Sequence, residues 1–290
     1  MLQMVKHIFP VIAAISICSC NVLDLKGLIM PTGEGVEKRF EQSAAMNKDL
    51  NAGTVQAQEE YTFYVATDPH IHETHNNLST FNDVLRNDAE TAFGVVLGDC
   101  IDVKDNLPFY LEALAYNPQR HSSDVDIFHI LGNHDLFFNG WVDFKALVGP
   151  SVYWFEVAFD GGKDLYISLD SATGSLGNKQ TKWFKSFLSE NRNNYRHCVV
   201  LTHTNFFYTD NSQVSSGNMP IEESFALIDF LGKQNVSLVL QGHDHYREDL
   251  IYDNVRYTIL GAIHDEMEAP EYLKVYVNQE GVSLDWQMIL

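Results

Sequence analysis

The chain has 290 residues, 45% of them hydrophobic and 12% aromatic, enough to bury a large core without division into several domains. Its formal charge of -20 sets 39 Asp and Glu against 19 Lys and Arg. Such a surface repels phosphate backbones and lacks the cationic contacts of non-specific nucleic-acid binding, so nucleic acid is not expected as a partner. A small anion is still compatible, because a locally positive site attracts it whatever the net charge.

The first element in chain order is a targeting segment over residues 1–19. Lys6 and His7 precede IFPVIAAISI, about half of the roughly 20 apolar residues a helix needs to span a bilayer. ICSCN, residues 17–21, resembles a bacterial lipobox with Cys20 as the lipidated residue, although Cys18 and Ser19 stand where Ala, Ser or Gly are usual. The expected location is therefore an exported, membrane-anchored lipoprotein, periplasmic or at the cell surface, that meets membrane only through the lipid. Ordinary signal cleavage nearby is the alternative. The two remaining cysteines, Cys100 and Cys198, flank apolar runs and read as free, buried thiols, with no disulfide framework.

Residues 20–59 carry few large apolar clusters and read as a tether. Its one helical pattern is VEKRFEQSAAMN, which either docks through Val36 and Phe40 or stands free in solvent. From residue 60 to 290 the pattern changes to short β-rich runs separated by amphipathic helices, which predicts a layered α/β domain. The runs are YTFYVAT, FGVVLG, DIFHILG, CVVLT and VSLVLQ. Helical spacing links Leu78, Phe81, Val84 and Leu85, then Leu111 and Leu114 after Pro108. It recurs in Trp183, Phe184, Phe187 and Leu188, and in Ile221, Phe225, Ile228 and Leu231, all expected in the core. Turns at Asp160-Gly161-Gly162 and Asp253-Asn254 predict hairpins, so part of the sheet is expected to be antiparallel.

Each of the five runs stops at a residue able to hold a metal. YTFYVAT is followed by Asp68-Pro69-His70, FGVVLG by Asp99, DIFHILG by Asn133-His134, CVVLT by His203, and VSLVLQG by His243-Asp244-His245. Ligands of open α/β sheets bind outside the carboxyl ends of the strands, so five strand ends are expected to point at one place. Each signal is weak alone: a lone His after a strand is commonly a hydrogen-bonded residue, and Gly-Asp is ordinary turn chemistry. Their order and placement carry the argument.

The motifs DPH, GDCID, GNHD, the His of LTHTNFF and GHDH, in that order, resemble those of the calcineurin-like metallophosphoesterases, over roughly residues 60 to 290. Thr202 and Asn205 stand where that family has Gly and Pro around its lone His. The resemblance implies an α/β/β/α sandwich with mixed sheets and two divalent metal ions. Asp99 would bridge them, one ion taking Asp68, His70, Asp99 and His245, the other Asp99, Asn133, His203 and His243. Imidazoles, carboxylates and one amide, without a thiolate cluster, suit Mn, Fe or Zn.

The implied activity is hydrolysis of a small phosphoester, by phosphatase or phosphodiesterase action, with a metal-bridging hydroxide as nucleophile. His134 would protonate the leaving oxygen, and Asp102, the last acid of GDCID, would hold His134 in the right tautomer. A purple acid phosphatase would carry Tyr at position 102. Asp135 is expected to cap the following backbone and Asp244 to stabilise its loop. His72 and His75 follow the first motif and either line the substrate mouth or, as is commoner, are exposed loop histidines; His129, His197 and His264 read as structural. Loops near 72–80 and 204–220 are expected to decide between monoester and diester. A second function class is a surface lipoprotein that binds a partner or glycan around a purely structural metal site; intact His134 and Asp102 speak against it.

Overall fold

The computed structural model describes residues 34–207 and 219–290. The signal segment, Cys18, Cys20 and the tether up to residue 33 lie outside the described residues, as do positions 208–218 of the second loop. Within them are helices α1 (Val36–Met46), α2 (Asn76–Asn87), α3 (Leu107–Leu114), α4 (Trp141–Leu147), α5 (Gly177–Asn191) and α6 (Ile221–Lys233). The strands are β1 (Asn51–Gln56), β2 (Tyr61–Ala66), β3 (Thr91–Val96), β4 (Ile127–His129), β5 (Tyr153–Phe159) and β6 (Gly162–Ser168). They continue with β7 (Cys198–Leu201), β8 (Leu238–Gln241), β9 (Glu248–Tyr252), β10 (Val255–Ile259), β11 (Glu271–Val277) and β12 (Val282–Met288).

Two mixed sheets form, ordered β1-β5-β6-β7-β8-β10-β9 and β12-β11-β2-β3-β4. Their inner faces share a core of Phe63, Val65, Phe93 and Val95 against Phe155, Tyr166, Val199 and Leu240. Phe63 stacks on Phe93 at 4.7 Å, and Phe93 meets Tyr166 edge-on at 5.0 Å. Helices α2, α3 and α4 cover the outer face of the five-stranded sheet, through Leu78, Phe81, Tyr110 and Trp141. Helices α5 and α6 cover the other sheet through Phe184, Leu188, Leu227 and Leu231. The result is the α/β/β/α sandwich. Both expected hairpins are present, β5 with β6 and β9 with β10. The second turns through Asp253 and Asn254, both at positive φ, as a two-residue hairpin requires.

Three expectations are corrected. The tether reading fails for its described part: β1 pairs in parallel with β5, and α1 docks with Phe40 6.0 Å from Trp183. The anchor of α1 is a polar residue, Arg39, 1% exposed, whose guanidinium donates to both oxygens of the buried Asp170 at 2.7 and 2.9 Å. The folded unit therefore begins well before residue 60. In α6 the apolar stripe is not wholly core: Ile228 and Leu231 are buried, whereas Ile221 and Phe225 are 60% and 64% exposed. Finally, DIFHILG forms only a three-residue strand, because β4 is the edge of its sheet and its chain soon turns into the GNHD loop.

His129, at the end of β4, accepts a hydrogen bond from the Tyr110 hydroxyl at 2.7 Å on Nδ1, and burial pulls its pKa down to about 4. Its unfolded-state value is about 6.5. The folded state thus binds this proton less readily than the unfolded chain. Its contribution to stability is full above the unfolded pKa and is lost as pH falls toward about 4, by at most about 3 kcal/mol. Urea midpoints measured from pH 7 to pH 4 should fall less steeply for His129→Gln than for the natural chain; parallel curves would contradict this.

Candidate metal centre

Each expected ligand follows a strand end. Asp68 comes two residues after β2, Asp99 three after β3, Asn133 four after β4, His203 two after β7, and His243 two after β8. The strands run with their carboxyl ends on one side, so the loops converge. Five of the ligand residues, Asp68, His70, Asp99, His243 and His245, hold φ between 42° and 75°. L-residues rarely adopt that region, and such strain persists only where the surroundings impose it. Here the sharp reversals turn side chains back over the strand ends. Two glycines permit the approach: a Cβ on Gly132 would strike the backbone nitrogen and Oδ1 of Asp99, and one on Gly242 would strike Thr67 and Asp68.

The side chains gather into overlapping groups. Asp68, His70 and His245 bring one donor atom each within 4.8 Å of one another, and so do Asp99, His203 and His243. In the first group His70 Nε2 faces His245 Nε2 at 3.1 Å, and His245 Nε2 lies 3.3 Å from Asp68 Oδ1. In the second, His203 Nε2 lies 3.0 Å from Asn133 Oδ1, 3.2 Å from His243 Nδ1 and 3.4 Å from Asp99 Oδ1. Asp99 turns its other oxygen toward His70 Nε2 at 3.8 Å, so one carboxylate serves both groups. A third grouping joins His70 and Asp99 to His134, whose Nε2 is 4.0 Å from Asp99 Oδ2. All seven expected ligands are thus brought together, and His134 with them.

Surrounding contacts settle which ring nitrogen faces inward. His203 Nδ1 lies 2.7 Å from the Leu97 carbonyl, which can only accept, so one N–H is fixed there and Nε2 is the nitrogen that would offer its lone pair to a metal on losing its proton. His70 Nδ1 likewise donates to Asp102 Oδ1 at 2.7 Å. Asp135 braces backbone that precedes it rather than the backbone that follows: Oδ2 accepts from Gly132 N at 2.8 Å and Oδ1 from Ile101 N at 3.3 Å. The two departures from the family pattern also have a role. Asn205 donates to Asp244 at 2.7 Å and Thr202 accepts from Gln241, which ties the lone-His loop to GHDH.

The electrostatics suit a cation. Burial lowers His203, but Asp99 and Asp68 overcome it and raise the imidazole to about 10. His134 is raised to about 9: burial opposes the shift, and Asp99 and Asp102 outweigh it. Burial, then His203, takes His243 down to about 4, and burial together with Asp99 raises Asp135 to about 7. For Asp68 burial works upward, yet His203 and His245 hold it well below the ordinary carboxylate range. Protons on His203 and His134 thus balance Asp68 and Asp99, a balance that a divalent cation supplies when it displaces protons from its ligands. Most tellingly, Asp68 Oδ1 is buried and accepts no hydrogen bond, while Oδ2 takes both Thr67 Oγ1 and His243 N. A buried anionic oxygen that accepts no hydrogen bond and faces only the imidazoles of His245 and His70 is costly, and a metal ion is the partner this donor set fits.

Asp102 lies beside His134, with Oδ1 3.2 Å from its Nδ1, and closer still to two other histidines. Its close partners are the ligand His70 and, at 2.5 Å through Oδ2, His72. His72, read as a loop histidine, is therefore part of the rim. His264, read as structural, lies with its ring 6.1 Å from that of His70 and 5.9 Å from that of His245. No motif announces it, since it follows β10 in a loop whose path only the fold reveals. His75 bonds Ser79 at the start of α2, and His197 donates to the Asn278 carbonyl, so both are structural.

Fold and site together define a two-sheet phosphoesterase scaffold with His/Asp clusters suited to a dimetal centre. Residues 61–247 match the family model of the calcineurin-like phosphoesterases, and the chain belongs to that family. No curated protein matches it in sequence. Among solved structures, it is similar to a dimetal phosphatase from Danio rerio at 12% identity and a TM-score of 0.62, over 79% of this chain and 96% of that one. GAP50, the anchor in the inner membrane complex of Plasmodium, aligns at 12% identity and a TM-score of 0.59, over 80% and 85%. A purple acid phosphatase from yellow lupin, Lupinus luteus, aligns at 13% and 0.59, over 80% of this chain and 52% of that one. At these identities the likeness speaks for the fold alone.

Proposed function

We propose that the protein hydrolyses small phosphoesters, with Asp68, His70, Asp99 and His245 holding one divalent cation and Asp99, Asn133, His203 and His243 the other. A bound pair of cations supplies Lewis acidity to the phosphoryl group and lowers the pKa of a shared water. The observation that carries the reading is Asp99, whose two oxygens face the two ligand groups while His134 stands beside it. His134 is 32% exposed, so its Nε2 reaches both Asp99 and an incoming substrate. Asp102, with Oδ1 3.2 Å from His134 Nδ1, favours the protonated imidazole that would deliver a proton to the leaving oxygen. Phe137, with its ring 4.5 Å away, shields one face of that imidazole. Asp102 holds His70, and thereby the first cation's seat, as a carboxylate behind a metal-ligating histidine does.

The test is turnover of p-nitrophenyl phosphate and its bis-ester by protein loaded with Mn, Fe, Co or Zn. His134→Ala should retain its metal and lose about 10²- to 10⁴-fold in turnover. Fully loaded protein that cleaves neither ester, and gains only melting temperature from metal, would reject the enzyme reading in favour of a metal-stabilised binding module.

A further inference from the structure

The site carboxylates have an unusual set of neighbours for a protein that handles phosphate. Among the described residues, every ion-pair partner of Asp68, Asp99 and Asp102 is a histidine, and no Lys or Arg pairs with any of them. A phosphoryl group has more oxygens than two cations occupy. The remaining ones call for hydrogen-bond donors, and the donors that pair with these three carboxylates are imidazoles.

His264 meets the geometric requirements of such a donor. Its ring stands edge-on to His70, with an interplanar angle of 79°, and tilts against His245, so it borders the seat of the first cation. His134 meets His70 at 4.6 Å, with an interplanar angle of 86°. The side chain of His264 is half-buried and its ring nitrogens make no hydrogen bond within the described residues. Its backbone, in contrast, is pinned from both sides. Ile263 N donates to the carbonyl of Thr67, the residue before the ligand Asp68. The His264 carbonyl accepts from Asn77 Nδ2 at 3.1 Å, and the Asp265 carboxylate caps α2 by accepting from the backbone of Asn76 and Asn77. A rigidly held loop thus presents one imidazole with uncommitted nitrogens at the rim of the centre. An imidazole carries at least one N–H donor whether neutral or charged.

We propose that His264 is a substrate-binding residue that donates a hydrogen bond to a non-bridging phosphoryl oxygen of the phosphoester held at the first cation. This rests on the phosphoesterase reading above. It assigns binding, not proton transfer, to His264, and leaves the leaving-group proton to His134.

The experiment compares natural protein, His264→Ala and His264→Gln, each loaded with Mn and checked for metal content. It measures KM and kcat for p-nitrophenyl phosphate, and calorimetric affinity for inorganic phosphate. The expected result is full metal loading in all three. His264→Ala should raise KM and weaken phosphate affinity, each by about tenfold, with kcat changed less, since one hydrogen bond to a charged group is lost. His264→Gln, whose amide places a donor at similar reach, should recover part of the phosphate affinity. Unchanged KM and phosphate affinity in His264→Ala would overturn the proposal, as would loss of metal from that variant, which would make the residue part of the metal seat. If the loaded natural protein neither turns over the ester nor binds phosphate, the phosphoesterase reading falls and the proposal with it. That outcome is distinct from an active natural protein whose variants behave identically.

Discussion

Asp99→Asn is expected to bind neither cation at full occupancy and to lose at least about 10³-fold in phosphoesterase turnover, while folding normally. The change removes one charge and turns one of two ligand oxygens into an amide NH2. Asp99 Oδ1 lies 3.4 Å from His203 Nε2 and its Oδ2 3.8 Å from His70 Nε2, so whichever side receives the NH2 loses its share of the bridge. The 2.8 Å hydrogen bond from His134 N needs an acceptor at Oδ1, so it favours the NH2 at the Oδ2 position and keeps the GNHD turn in place. Neutralising Asp99 also relieves its repulsion of Asp68 and Asp135. The same change removes the carboxylate that favours protonated His203 and His134, so each protein is compared with itself, with and without metal. The difference appears on adding metal: a ligand at 100 times its dissociation constant stabilises by about 2.7 kcal/mol, and that shift should vanish in the variant. Metal analysis giving two ions per chain of Asp99→Asn would show that the bridge is misassigned.

Arg39→Ala should destabilise the protein by about 3–5 kcal/mol, because it leaves a buried carboxylate without its counter-charge. Asp170 is fully buried, and among the described residues Arg39 provides its only cation, with Ser151 Oγ and Ala172 N as further donors. The residue after Asp170 extends the consequence to the metal centre. Ser171 Oγ accepts from the backbone of His203 and Thr204 at 3.1 and 2.9 Å, so a collapse around Asp170 loosens a ligand loop. Arg39→Met combined with Asp170→Asn removes the charge together with its partner and should recover much of the loss. Equal denaturant midpoints for Arg39→Ala and the natural protein would mean that α1 contributes nothing to the fold.

Arg39 also shows where a reading of the sequence misleads. A polar run with few large side chains suggests a solvated tether, and VEKRFEQSAAMN gives no sign that its arginine, rather than Val36 or Phe40, is the buried anchor. The partner lies 131 residues away in the chain, and nothing local marks Asp170 as the carboxylate that needs it. Ile221 and Phe225 misled in the opposite direction. Their spacing matches the core face of a helix, but the buried side of α6 runs through Ser224, Leu227, Ile228 and Leu231. Periodicity marks an amphipathic helix without saying how far the layer beneath it extends.

What the sequence determined by itself was the class of fold and the seven residues that gather at the candidate metal centre, because each is fastened to a strong local pattern. A β-rich run ends, the backbone reverses, at a glycine in the GDCID, GNHD and GHDH motifs, and a residue with a lone pair follows. Local patterns of that kind survive without knowledge of the rest of the chain. What only the tertiary structure decided was which groups stand behind and around those ligands. Asp102 proves to belong first to His70, Asn205 to Asp244, and His264 to the rim of the centre, through contacts between segments 32, 39 and roughly 200 residues apart. Such pairings depend on how loops from different strands cross in space, and a hydrogen bond between distant segments leaves no periodic trace in either of them.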